Sequence, residues 1–223
     1  MSKKIIVCKI GGSLLERGSI EAIQQLGSIL TEIHSPERKI IIISGGGPFA
    51  EYIRKKQPEF SLCLETAHWM AILGMTQYAC LLHQVISNTK IVAYSSRVEF
   101  NKLKLPLKTI PILNTWRFMR TQSTLPKTWE TTSDAIATEI AIDMEATTLL
   151  FLKDIDGIYI NGLVEKTVTI NQLLELEQSP LDKPTPILLN KSSLETYIIN
   201  GFFPKRIKKV LFEKNGKFTE IVK

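Results

Sequence analysis

Lys9 sits near the end of a β-branched run, Ile5-Ile6-Val7-Cys8-Lys9-Ile10, and is followed at once by Gly11-Gly12 and Ser13. A second run, Lys39-Ile40-Ile41-Ile42-Ile43, ends in Ser44-Gly45-Gly46-Gly47-Pro48. Glycine allows close backbone approach and unusual dihedrals, and the free N–H groups at a helix start bind anions. Two such strand-to-helix turns imply two phosphate-bearing ligands. A cation near the end of a buried strand is costly unless an anion pairs with it, so Lys9 is expected to meet phosphate. The bland alternative is that its stem carries the ammonium out to solvent at the strand end. Neither turn is a Walker loop, because the lysine precedes the glycines and no Gly-Lys-Ser/Thr follows, and neither is a dinucleotide fingerprint. Ser133-Asp134 opens another helical pattern with a first-turn carboxylate, which taken alone is ordinary complementation of the helix dipole. The chemistry these groups could perform is the holding of phosphates between a donor and an acceptor.

The elements that must hold these residues follow from periodicity. The run ending at Ile10 reads as a strand buried on both faces, and so as part of a parallel sheet. Ile20, Ile23, Leu26, Leu30 and Ile33 repeat at helical spacing until Pro36. The pattern after Gly47 is again helical through Lys56, and Glu65 to Ile86 predicts a long helix with Met70, Leu73, Leu81 and Val85 inward and Tyr78 near the same face. Lys90 to Tyr94, Ile110 to Leu113 and Leu149 to Leu152 read as strands. The stretch from Ser95 to Trp129, punctuated by Pro106, Pro111 and Pro126, is expected to be a loop or lid. Ser133 is expected to cap a helix through Met144. In the tail, Asn215-Gly216 could close a hairpin, while Pro204 suits a helix running to about Phe212. Alternating strands and helices predict a three-layer α/β domain, with the strand order left open.

The 223 residues, 44% of them hydrophobic, suffice for one large domain or two small ones and argue against disorder. No apolar run reaches the roughly 20 residues that span a bilayer, and Met1-Ser2-Lys3-Lys4 leads into a segment that includes Lys9; a cytoplasmic protein with no membrane partner is expected. Cys8, Cys63 and Cys80 lie in apolar segments without zinc or disulfide spacing, and read as buried free thiols. Much of the net charge of +6 gathers in Lys205, Arg206, Lys208, Lys209, Lys214 and Lys217, a solvated face rather than a nucleic-acid site, since no aromatic-basic motif or finger spacing accompanies it.

Lys9-Ile10-Gly11-Gly12-Ser13, Ser44-Gly45-Gly46-Gly47-Pro48, Thr132-Ser133-Asp134 and Lys153-Asp154-Ile155-Asp156-Gly157-Ile158-Tyr159 resemble the signatures of the amino acid kinase family, in its order and over nearly the whole chain. Ile198-Ile199-Asn200-Gly201 resembles its late strand end, which a helix follows, and this favours the helical tail. The resemblance implies a single domain over 1–223, an open, mainly parallel α/β/α sandwich with the acceptor over about 1–130 and the nucleotide over about 131–223. It implies ATP and Mg²⁺ as cofactors, with no set of metal ligands indicated, and a homo-oligomer formed through the N-terminal half.

Residue by residue, Lys9 resembles the lysine that neutralises the transferring group, and Gly11, Gly12 and Ser13 the loop along the donor phosphates. Gly45, Gly46 and Gly47 would face the acceptor with Ser133. Asp134 resembles the carboxylate that orients the lysines, and Asp154, Asp156, Gly157 and Tyr159 the nucleotide turn. Several members carry a second lysine after a Gly-Gly-Met-type loop; no such loop lies between Gly162 and Gly201, leaving Lys191 or Lys153 to take its place. The segment Ala67 to Tyr78 and Trp129 to Asp134 resemble the branch that converts an (aminomethyl)furanylmethyl phosphate to its diphosphate in methanofuran biosynthesis. In that likeness Trp69, Tyr78 and Trp129 pack on a small ring, His68 and Gln77 hydrogen-bond it, and the triple glycine holds its phosphate. Core packing is the plain alternative for the apolar members, and His83 reads as an interior or rim histidine. Uridylate and isopentenyl phosphate kinases use the same loops, and a nucleotide- or anion-binding storage or regulatory protein is the reading from another class.

Overall fold

The structure is a computed structural model that describes residues 4–223; Met1, Ser2 and Lys3, with the reading of the chain's start made on them, lie outside the described residues. The first half comprises β1 (Lys4–Ile10), α1 (Ser13–Arg17), α2 (Ile20–Ile33), β2 (Arg38–Ser44), α3 (Gly47–Lys56), α4 (Leu64–Val85), β3 (Thr89–Ala93), α5 (Arg97–Asn101), β4 (Ile110–Asn114) and α6 (Trp116–Thr121). The second comprises α7 (Ser133–Asp143), β5 (Thr148–Lys153), β6 (Ile158–Ile160), β7 (Leu163–Glu165), β8 (Thr167–Thr169), α8 (Ile170–Glu175), α9 (Pro184–Asn190), β9 (Glu195–Asn200), α10 (Lys205–Lys208) and β10 (Thr219–Val222).

Eight strands form one sheet in the order β3-β4-β2-β1-β5-β9-β10-β8, while β6 and β7 pair as a separate hairpin. From β3 to β9 every pairing is parallel; β10 runs antiparallel to β9 and parallel to β8. The alternating pleat sends Val7, Ile41, Ile43 and Phe151 to one face, against Met75, Ile136 and Ile140. It sends Ile6, Cys8, Ile10 and Ile42 to the other, against Ile23, Leu26 and Leu82. Ile40 to Ile43 are all fully buried, as the centre of a sheet covered on both faces requires. The three-layer α/β architecture is therefore as expected.

Several local expectations are corrected. The stretch 95–129 is not one loop: it holds α5, β4 and α6, and its longer irregular segments are 102–109 and 122–129. Leu73 points to solvent, because it falls between the buried stripes of α4 that carry Ile72 and Met75. Cys8 is buried, but Cys63 precedes α4 at its N-cap and Cys80 lies on the helix's outer side, and both are exposed free thiols. Thr132, not Ser133, caps α7, its hydroxyl accepting from the Asp134 N–H. The tail is helical through α10 and a π-helical turn, Lys209–Glu213, ending at Lys214 in a left-handed conformation. Asn215-Gly216 then leads the chain into β10 instead of closing a hairpin. His83 is exposed at the rim, its Nδ1 2.9 Å from the Thr89 hydroxyl.

Candidate active site

The chain leaves β1 for β2 on one side and later returns with β5 on the other, so a crevice opens beyond their carboxyl ends. Such a switch point is where open α/β sheets bind ligands. The backbone ladder continues past the strand ends: Gly11 N–H donates to Leu152 O at 2.8 Å, Gly45 N–H to Ile10 O at 2.8 Å, and Gly201 N–H to Lys153 O at 2.7 Å. These bonds set the two glycine turns and the β5 turn side by side. Gly12 and Gly47 meet backbone to backbone: a Cβ built on Gly12 would overlap the N and Cα of Gly47. Gly47 itself has φ +52°, a left-handed dihedral that glycine adopts without steric cost.

Lys9 and Asp134 are each only 4% exposed. Lys9 Nζ lies 2.7 Å from Asp134 Oδ1, and Lys153 Nζ donates to Asp134 Oδ2 at 2.7 Å. Two ammonium groups thus share one carboxylate, a buried cluster with one positive charge to spare. Burial by itself would raise the Asp134 carboxyl, but the charges and hydrogen bonds of Lys153 and Lys9 outweigh it and hold the group at about 2. Lys9 is lowered, first by burial and then by the like charge of Lys153, against the pull of Asp134. Lys191, the other candidate for a second lysine, is exposed beyond the end of α9.

Asp182 secures this arrangement from behind. Its Oδ2 accepts from the N–H and hydroxyl of Thr132 at 2.8 and 2.6 Å and from Ala135 N–H, and its Oδ1 accepts from the N–H and hydroxyl of Thr185. One carboxylate therefore fixes the first turns of α7 and α9. Sequence reasoning passed over it, although an aspartate just before Lys183-Pro184 is a helix-start signal.

After β5, Asp154 accepts from Ser13 Oγ at 2.8 Å and pairs with Arg17 at 2.5 Å, joining this turn to the Gly11-Gly12 loop. Asp156 is held low, at about 2, by hydrogen bonds from Lys217 and Arg206, with Asn200 adding a third. Arg17, Asn200, Arg206 and Lys217 were not singled out from sequence, since only the fold brings them to these carboxylates. Gly157 leaves no room for a side chain against Thr219 and Val164. Tyr159 is 50% exposed and, with Lys166, Lys217 and Phe218, lines a separate hollow of about 470 Å³.

A cavity of about 220 Å³ adjoins both glycine loops. Gly12, Ser13, Gly46, Gly47 and Ser133 form its polar end, Ile72, Met75 and Trp129 its apolar wall, and Glu16, Glu51, Arg54 and His68 its titratable lining. Arg54 lies over the Trp129 ring at 4.6 Å, and Trp129 Nε1 donates to Gln57 Oε1 at 2.6 Å. Of the residues expected at the acceptor, His68 and Trp129 reach this cavity. Trp69 does not line it but packs edge-on against Trp116 and His68, Gln77 is exposed, and Tyr78 is fully buried behind the loops with its hydroxyl 3.4 Å from Gly11 O. Glu16, Glu51 and Arg54 were missed because their approach depends on how α1 and α3 flank the loops.

Among curated proteins, the (5-(aminomethyl)furan-3-yl)methyl phosphate kinase of Methanocaldococcus jannaschii is 27% identical over 220 residues, 97% of each chain. The uridylate kinase of Methanococcus aeolicus is 24% identical over 228 residues, 92% of this chain and 94% of that one. Among solved structures, UMP kinase from Ureaplasma parvum superposes with a TM-score of 0.78 at 22% identity, covering 99% of this chain and all of that one. Uridylate kinase from Archaeoglobus fulgidus gives 0.75 at 22% identity over 97% and 99% of the two chains. These structures share the fold. The profile described as the amino acid kinase family matches residues 4–200, and the chain belongs to that family.

Proposed function

We propose that this phosphotransferase moves the γ-phosphoryl group of ATP to a small phosphate ester, an (aminomethyl)furanylmethyl phosphate, and releases its diphosphate. The observation that carries this reading is the surplus positive charge of Lys9, Asp134 and Lys153, buried where two glycine loops meet. In the proposed division of labour, Gly11, Gly12 and Ser13 lie along the donor phosphates and Gly45 to Gly47 hold the acceptor's phosphate. Lys9 and Lys153 take up the charge that develops on the transferring group, and Asp134 keeps both pointed at it. Asp154, Asp156, Gly157 and Tyr159 serve the nucleotide, so that 1–130 and 131–223 act as acceptor and nucleotide halves. Mg²⁺ would neutralise charge on the polyphosphate, carried by the phosphates themselves, since among the described residues no group of three or more His, Cys, Asp or Glu is placed to hold a metal.

The small cavity and its single aromatic wall at Trp129 support a one-ring acceptor, and the Methanocaldococcus relative's name supports the furan. Uridylate is the second reading, favoured by the Methanococcus relative. ADP formation with Mg-ATP and a panel of furan monophosphate, uridylate and isopentenyl phosphate tests both. Turnover of the furan ester to its diphosphate, with little from the others, is expected; preference for another monophosphate overturns the furan, and no turnover with any acceptor favours a binding protein on this fold. Self-association through the amino-terminal half belongs to the same reading and is measured by light scattering.

A further inference from the structure

His68 is 3% exposed, lines the acceptor cavity, and has a buried Nε2 with no hydrogen-bond partner. A buried polar atom without a partner is a cost the fold does not normally carry, so an orphan at a cavity wall points to a ligand. The ring's tautomer follows from its other contact. The Thr128 backbone carbonyl hydrogen-bonds the imidazole, and a carbonyl only accepts, so the proton sits on the nitrogen facing it. Nε2 is therefore the bare, accepting nitrogen. Burial lowers the imidazole's proton affinity further, and the neutral ring persists at neutral pH.

Its position along the cavity is fixed by helix geometry. Gly74 of α4 packs against Phe49 and Ala50, just past the triple glycine. His68 lies six residues earlier on the same helix, about 9 Å along its axis at 1.5 Å per residue. That places the imidazole at the end of the cavity remote from the glycine loops. Glu51 pairs with Arg54 at 3.7 Å on α3 and Glu16 follows the Gly11-Gly12 loop on α1, while the charges that act on the imidazole are Lys127 and Glu65, themselves paired at 2.9 Å. That pair is balanced in charge, so the unpartnered accepting nitrogen is what selects a donor at this end.

We propose that His68 Nε2 reads a protonated amine on the acceptor, at the end of the molecule away from its phosphate. This rests on the cavity being the acceptor site, as proposed above, and makes His68 a specificity-determining residue that accepts a charge-assisted hydrogen bond. An acceptor without a donor at that end would leave Nε2 unpaired and would be disfavoured for that reason.

The test compares (aminomethyl)furanylmethyl phosphate with its methyl analogue, which lacks the amine, in the full-length wild-type chain and in His68→Phe and His68→Gln, with thermal melts to verify folding. The expected result is a kcat/KM preference for the amine of about 100-fold in wild type. That preference collapses in His68→Phe and returns in part in His68→Gln, whose amide oxygen can still accept. Equal use of both esters by the wild type, or an undiminished preference in His68→Phe, overturns the role of His68 and leaves the furan phosphate reading standing. Should His68→Phe fail to fold, the wild-type contrast and His68→Gln decide. Turnover of neither furan ester while uridylate is used overturns the acceptor assignment itself, and the amine with it.

Discussion

Burial costs the Lys9 ammonium more than a half share of Asp134 returns, which is why its proton affinity is lowered beside an aspartate 2.7 Å away. A phosphoryl group bound as proposed would reverse that balance, and the lysine would then serve the ligand more than the fold. Lys9→Met, which keeps the stem and drops the charge, is expected to retain its melting temperature within a few degrees while kcat falls by at least about 100-fold, equivalent to about 3 kcal/mol. Thermal denaturation beside steady-state kinetics checks both halves of that statement. Asp134→Asn should do the opposite to stability, leaving two buried ammoniums without their carboxylate at a cost of about 3 kcal/mol by denaturant titration. The acid limb carries the same information. Asp134 titrates at about 2 in the folded chain against an ordinary 3.8, so its stabilisation is complete above pH 3.8 and is lost as pH falls toward 2. That loss amounts to about 2 kcal/mol. In Asp134→Asn this part of the acid limb should vanish, leaving the part due to Asp156.

Helix starts and strand ends, rather than single side chains, decide how those groups meet. Asp182 holds α7 and α9 at their first turns, so Asp182→Ala is expected to cost about 2 kcal/mol and to reduce kcat by misplacing Asp134, both measurable on one preparation. Gly12→Ala should push the two glycine turns apart and abolish most turnover, whereas Gly162→Ala, in the open hairpin turn, should leave kcat close to wild type. Much of this level was readable in advance. The β1, α2 and β2 segments combine strong apolar periodicity with glycine or proline stops, and α4 was bounded to within a residue or so. What escaped is instructive in its causes. The β6–β7 hairpin turns on Asn161-Gly162, a dipeptide suited to left-handed dihedrals, but its strands are only three residues long. β10 is a four-residue strand recruited by β9, and no local pattern predicts recruitment. At the site, Lys9 and the glycines stood out because type and spacing are local, whereas Asp134 drew notice only through the family resemblance, its first-turn carboxylate being ordinary by itself. Lys153 was left level with Lys191 because reach to Asp134 is a tertiary fact, and Asp182 and His68 Nε2 acquire meaning only from what surrounds them.

On the scale of the molecule, one sheet runs without a break from β3 to β8 through both proposed halves, with β1 and β5 hydrogen-bonded at its centre. Separation of the halves would expose the fully buried Val7, Leu149, Leu150 and Phe151. Calorimetric unfolding is therefore expected to show a single cooperative transition, raised as a whole by Mg-ATP together with the acceptor; two resolved transitions would contradict this picture. The touching backbones of Gly12 and Gly47 have one more consequence. If one turn carries the donor's phosphates and the other the acceptor's, the gap the phosphoryl group must cross is gauged by main-chain atoms in contact. No rotamer change can widen it, and no side-chain substitution elsewhere in the cavity resets it. His68, about 9 Å along α4 from Gly74, is free of that gauge, so the identity of the acceptor can be altered there while the transfer distance stays constant.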